Sequence, residues 1–197
     1  QVGLANTSGQ TPLHACSSQE CLEALLRFAH QDMLYALDDQ GRSPLMIMCV
    51  QGNAPCLDIL LQADADGGTL YLLEAQRGNS PLHAAAASGS IDCVKSLVAA
   101  LDLPGLPTNC LDHTPVEEAY KSGHLHLAIF LLQYEAWLSG DSRAVSHCKD
   151  HLSSIQAMLA APGPGYEKNF GASIEVRASA VPQSESGAFC LDNLAVD

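Results

Sequence analysis

Four short segments of this chain are variations on one tetrad, and that repetition limits the folds open to it more than any single residue does. Thr11-Pro12-Leu13-His14 returns as Ser43-Pro44-Leu45-Met46, as Ser80-Pro81-Leu82-His83 and as Thr114-Pro115-Val116-Glu117, at intervals of 32, 37 and 34 residues. Two residues before each tetrad stands Gly9, Gly41, Gly78 or, in the last copy, Asp112, as suits a tight turn that needs positive φ. Thr or Ser followed by Pro then marks a helix start. In the last three copies a glycine follows the His position by six residues, at Gly52, Gly89 and Gly123, and ends a short first helix. Paired aliphatics further on, Leu60-Leu61, Leu97-Val98 and Leu131-Leu132, supply the inward face of a second helix.

A turn and two antiparallel helices per unit of about 33 residues resembles the ankyrin repeat. The resemblance covers roughly residues 3 to 140 and implies an all-α, helix-turn-helix repeat solenoid with projecting β-turn or hairpin loops. The units are expected at about 3–36, 37–73, 74–107 and 108–140. The third, with Gly78-Asn79-Ser80-Pro81-Leu82-His83-Ala84-Ala85-Ala86 and then Gly89, stands nearest the family pattern. The first lacks the helix-ending glycine and is about three residues short, so its first helix is expected to be truncated. In the family the Thr and His side chains bond locally and knit adjacent turns. Met46 and Glu117 in place of His therefore predict looser turns in the second and fourth copies.

Between units, Leu34-Tyr35-Ala36-Leu37-Asp38 and Leu70-Tyr71-Leu72-Leu73-Glu74 read as apolar arms leading into the turns, and an insertion near 63–68 explains the interval of 37. Pro104-Gly105-Leu106-Pro107 reads as a rigid loop in place of a short connector. After the fourth copy, Val145, Cys148, Leu152, Ile155 and Leu159 recur at three- and four-residue steps. A capping helix over about 141–161 is expected, shielding the last apolar face. Pro162-Gly163-Pro164-Gly165 ends it, and a flexible tail over 162–197 is expected, whose apolar end from Phe189-Cys190-Leu191 onward reads as a segment packing back on the repeats, as the start of a further domain or as a short docking motif.

Composition closes off several functions. Lys plus Arg number 9 against 22 Asp plus Glu, a formal charge of −13, which repels phosphate backbones and anionic lipid. No nucleic-acid partner is expected. Uncharged stretches carry too much Gly, Ser and Pro for membrane insertion. The 8 cysteines contain no CxxC pair. They fit neither a zinc ribbon nor a disulfide framework, and a reducing, intracellular location, cytoplasmic or nuclear, is expected, with most thiols buried as small hydrophobes. A chain opening on Gln1 is expected to be a piece of something longer.

Candidate chemistry is sparse. His147 and His151 would share one helix face at i and i+4, but no third or fourth ligand is evident. His124-Leu125-His126 matches the Gly-His that the family carries between its helices, a structural role. No nucleophile motif, phosphate loop or HExxH occurs, and Asp38-Asp39 and Glu117-Glu118 read as turn and helix-start acids. No catalytic residue, metal or cofactor is expected, and nothing in the sequence fixes an oligomeric state.

The resemblance instead implies a binding surface at the turn tips and on the exposed stripe of each first helix. Carried over by position, it takes Asp39, Gln40, Arg42 and Gln51 from the second copy and Gln76, Arg77, Asn79 and Ser88 from the third. The fourth supplies Leu111, His113, Tyr120 and Lys121. Arg42, Arg77 and Lys121 make this face mildly basic, so a protein partner with an acidic segment is expected. The alternative is a regulatory or autoinhibitory segment docking on another domain of a longer parent. In a quasi-linear array the shortened first unit should also be the least stable.

Overall fold

The computed structural model describes residues 5–101 and 105–139. The capping helix and tail expected over 141–161 and 162–197, with His147 and His151, lie outside the described residues. Among the described residues eight α-helices follow one another as four pairs: α1 Pro12–Ala15 with α2 Gln19–Leu26, α3 Pro44–Gln51 with α4 Ala54–Ala63, α5 Pro81–Ser88 with α6 Ile91–Ala100, and α7 Pro115–Lys121 with α8 Leu125–Ser139. No strand occurs among the described residues, in keeping with an all-α ankyrin-type solenoid.

Each first helix starts where the tetrad places it. Proline occupies the first turn, where its missing N–H costs nothing, and Thr11, Ser43, Ser80 and Thr114 are the N-caps. Gly52 and Gly89 end α3 and α5 at φ of 67° and 77°. Without such a glycine α1 is four residues long, the expected truncation. Second helices begin at Ser18, Asn53 and Ser90, whose side chains accept the N–H of Cys21, Cys56 and Cys93.

The first helices stack in file, α1 on α3, α3 on α5 and α5 on α7, while α2, α4 and α6 form a second file. An interior first helix is thus covered on nearly every side, so α3 buries all six residues from Pro44 to Cys49, and α5 uses small alanines. Leu13, Leu22, Leu45, Leu57, Leu60, Leu82, Leu97, Phe130 and Leu131 fill one continuous core.

Three expectations change. The turns at Met46 and Glu117 keep their caps. Ser43 Oγ accepts the Met46 N–H, and Glu117 replaces the imidazole by accepting the Thr114 N–H at 2.7 Å. At Met46 both bonds that the imidazole makes elsewhere, from the N-cap N–H and onward to the next turn, are lost, and the Ser43 hydroxyl cap remains. The apolar arms are 3₁₀ turns, Gln31–Tyr35 and Gly68–Tyr71, that bury Leu34 and Leu70 but leave Leu37, Tyr71 and Leu73 exposed. The insertion near 63–68 is pinned by Asp64, which accepts from the Tyr35 hydroxyl at 2.8 Å, the Thr69 hydroxyl at 2.6 Å and the Thr69 N–H at 2.9 Å. It does not account for the whole interval of 37, because the third turn is itself one residue longer. There Glu74 N–H donates to Asn79 O, whereas Asp38 donates to Arg42 O.

Candidate partner-binding surface

Four fingers project before the first helices, at 6–10, 38–42, 74–79 and 109–113. A polar side chain opens each one. Asn6, Asp38 and Asn109 accept two backbone N–H groups apiece, two and four residues on, at 2.9 to 3.0 Å. Glu74 Oε1 accepts the Arg77 N–H at 3.1 Å in the longer third finger. Positive φ follows at Gly9, Gly41, Gly78 and Asp112, the last at 57°. At Gly41 a Cβ would stand 2.7 Å from Ala75 Cβ, so the next finger's approach also demands glycine.

Main-chain bonds fasten each finger to the next. Asp39 N–H donates to Ser8 O at 3.1 Å, Ala75 N–H to Gln40 O at 3.1 Å and Cys110 N–H to Arg77 O at 2.9 Å. Buried histidines reinforce two junctions. His14 Nδ1 accepts the Thr11 N–H, and its Nε2 donates to Arg42 O at 3.0 Å. His83 repeats this with Ser80 and with His113 O at 2.9 Å. Burial lowers both imidazole pKa values against the opposing pull of those carbonyls, so both rings are held neutral.

The expected contact residues separate into two groups. Asp39, Gln40, Gln51, Gln76, Arg77, Leu111 and Lys121 are exposed. Arg77 makes no ion pair among the described residues. The others serve the fold at least in part. Arg42 clamps Asp38 with Nε at 3.0 Å and Nη2 at 2.7 Å, and Asp38 is almost wholly enclosed. Burial works against that carboxylate, but the guanidinium and two backbone N–H groups outweigh it and hold its pKa low. Asn79 donates to Glu74 and accepts from Asn109 Nδ2 at 2.8 Å. Ser88 Oγ donates to Ala85 O, and Tyr120 is half-buried. The His113 ring lies 3.1 Å from Glu118 Oε1 and 2.7 Å from Lys121 Nζ, with Lys121 also 3.6 Å from Glu118. The three-cation face of the sequence expectation is therefore corrected: Arg42 is internally neutralised, Lys121 is partly so, and Arg77 alone of the three has no ion pair among the described residues.

What the sequence concealed is apolar. Leu37 and Leu73 occupy the same register position, immediately before the residue that opens fingers two and three, and are 49% and 54% exposed. Their signal was a leucine directly before an acid in both arms, but apolarity there reads as core. Leu111, already among the expected contact residues, is 55% exposed at the tip of finger four, and Val50 on α3 is 47% exposed. Among the described residues no group of three or more His, Cys, Asp or Glu is placed to hold a metal, and no helix is long and apolar enough to cross a membrane.

A family model for ankyrin repeats matches residues 1–71 and 67–139, in an arrangement of three copies. The chain is similar to the tyrosine-protein kinase HTK16 of Hydra vulgaris, 35% identical over 101 residues that make up 49% of this chain and 13% of the kinase. It is also similar to the target of rapamycin complex 2 subunit AVO2 of Saccharomyces cerevisiae, 30% identical over 89 residues, 40% of this chain and 20% of that subunit. The similarity thus spans a minor part of both relatives.

Proposed function

The chain belongs to the ankyrin repeat family, whose arrays are generally protein-protein interaction modules, and from that premise we propose that it is a noncatalytic module holding a protein partner along its finger edge and first-helix face. The observation that carries this is the pair of exposed leucines, Leu37 and Leu73, at the base of fingers two and three, together with Leu111 exposed at the tip of finger four. Apolar side chains on a partner would gain by covering them, at about 25 cal/mol per Å² removed from water. Arg77, exposed and without an ion pair among the described residues, supports an acidic group on that partner near finger three. A scaffold fastened at every finger loses little freedom on binding.

The test is affinity capture with the full chain, a Leu73→Asp/Arg77→Glu variant and a Lys95→Glu control on α6. A protein recovered by the parent and the control but not by the finger variant, and confirmed with purified components, supports the proposal. Equal recovery by all three rejects the finger edge. The relatives are much longer than the matched stretch, which favours a second reading, docking on another domain of a longer parent. That reading predicts that an added neighbouring domain, and no separate protein, protects Leu37 and Leu73.

A further inference from the structure

Leu37 and Leu73 hold one register position on consecutive fingers, and both are about half exposed. Their fingers are joined by the Ala75 N–H donating to Gln40 O at 3.1 Å, and α3 and α5 stack directly behind them. Stacked helices lie about 8–10 Å apart, so the two leucines repeat at about that step. Beyond Leu73 stands Arg77, exposed and without an ion pair among the described residues. Glu74, the acid nearest to it in sequence, already spends Oε1 on the Arg77 main-chain N–H and the Asn79 side chain. The edge therefore suits two apolar side chains one helix spacing apart, with a carboxylate close by.

The chain carries such a segment itself. In Phe189-Cys190-Leu191-Asp192-Asn193-Leu194-Ala195-Val196-Asp197, Leu191 and Leu194 are three residues apart and Asp192 stands between them. A polyproline II segment turns once every three residues and rises about 3.1 Å per residue, which puts residues three apart on one side and about 9 Å from each other. That step matches the one between fingers. The segment lies outside the described residues, and residues 140–190 join it to α8. A stretch of that length reaches on the order of 150 Å when extended, so the tether does not keep the segment from the fingers.

We propose that segment 189–197 docks on fingers two and three of its own chain, with Leu191 and Leu194 covering Leu37 and Leu73 and Asp192 pairing with Arg77. The inference rests on reading this edge as a binding surface and adds its regulation. A tethered segment competes at an effective concentration approaching the millimolar range, so a contact that is weak between separate molecules holds the edge closed until a tighter partner displaces it.

The experiment places the photo-crosslinker p-benzoylphenylalanine at position 73 of the full chain, irradiates it in dilute solution and maps the joined peptides by mass. Leu73 is exposed, so this replacement leaves the core untouched. A cross-link within one chain to residues 187–197 is expected, and Leu191→Asp/Leu194→Asp should cut its yield at least fivefold. A link to any other segment, links only between chains, or a yield unchanged in the tail variant would overturn the proposal. As a second measurement, a fluorescent peptide of residues 187–197 should bind the tail variant at least tenfold more tightly than the parent, whose own segment occupies the edge, and adding Leu73→Asp/Arg77→Glu should abolish that binding. Binding no tighter to the tail variant than to the parent, or binding that survives the finger changes, rejects the contact. Both measurements need no second protein, so a cross-link to 187–197 without capture of any separate partner upholds the docked segment while rejecting the partner reading.

Discussion

The Nε2–H of His83 donates to the backbone carbonyl of His113 across 2.9 Å, joining the third finger to the fourth from inside the fold. The other ring nitrogen is occupied by the Ser80 N–H, so one side chain both starts α5 and fastens its neighbour. His83→Ala strands the buried Ser80 N–H and leaves the His113 carbonyl with the Asn109 N–H alone, at a cost of roughly 1 to 3 kcal/mol. Urea denaturation should show the lower midpoint, and a midpoint equal to that of the parent would mean the bond is replaceable by water.

Acid should act in two stages. His14 and His83 have folded pKa values below the ordinary 6.5, so between that value and the folded ones the unfolded chain binds more protons. Their contribution is complete above pH 6.5 and is lost as pH falls through this window. Asp38 and Asp64, held below 3.8, withdraw theirs only as pH drops further, through 3.8 toward their folded values. Stability measured from pH 8 to 5 should decline, and a His14→Gln/His83→Gln chain should flatten the decline. An unchanged slope in that double variant contradicts the assignment.

Arg42→Glu and Arg77→Glu should part company. The first removes the clamp on enclosed Asp38 and adds a like charge, costing roughly 3 kcal/mol or more, while the second alters an exposed residue and should stay within about 0.5 kcal/mol. Thermal melts of both would decide it. Equal losses would show that Arg77 has a structural duty not visible in its surroundings.

Gly41→Ala and Gly67→Ala separate conformational strain from crowding. Both sites have positive φ, 74° and 65°, but only Gly41 has a neighbouring finger within 3 Å of the added carbon. The Gly67 change should cost about 1 to 2 kcal/mol and the Gly41 change clearly more. Similar losses would imply that finger three can shift away.

Hydrogen exchange should release amides of α1 and α2 before those of α3 to α6, since a four-residue helix secures only one turn. Uniform protection across the pairs would rule out a weak first unit.

Positions governed by short-range chemistry were legible: the positive-φ residue before each tetrad, the start of each first helix and the truncation of α1 followed from Gly, Pro and capping residues within a few positions of each other. Features that depend on a neighbouring unit were not. Arg42 reads as a free turn-tip cation until Asp38, four residues back, is seen enclosed beneath it. Leu37 and Leu73 read as core because an arm's apolar residues cannot be sorted into buried and exposed without the next unit. The finger openers Asn6, Asp38 and Asn109 do stand at one offset from their turn residues, three before each, but Glu74 breaks that register because its finger is longer.

The finger ladder is built from main-chain groups, with the carbonyls of Ser8, Gln40 and Arg77 as its rungs. Side chains at those positions are therefore released from holding neighbours together. Substitution there leaves the stacking intact, so recognition can be rewritten one finger at a time, each change being judged by what it meets and not by whether the array still folds.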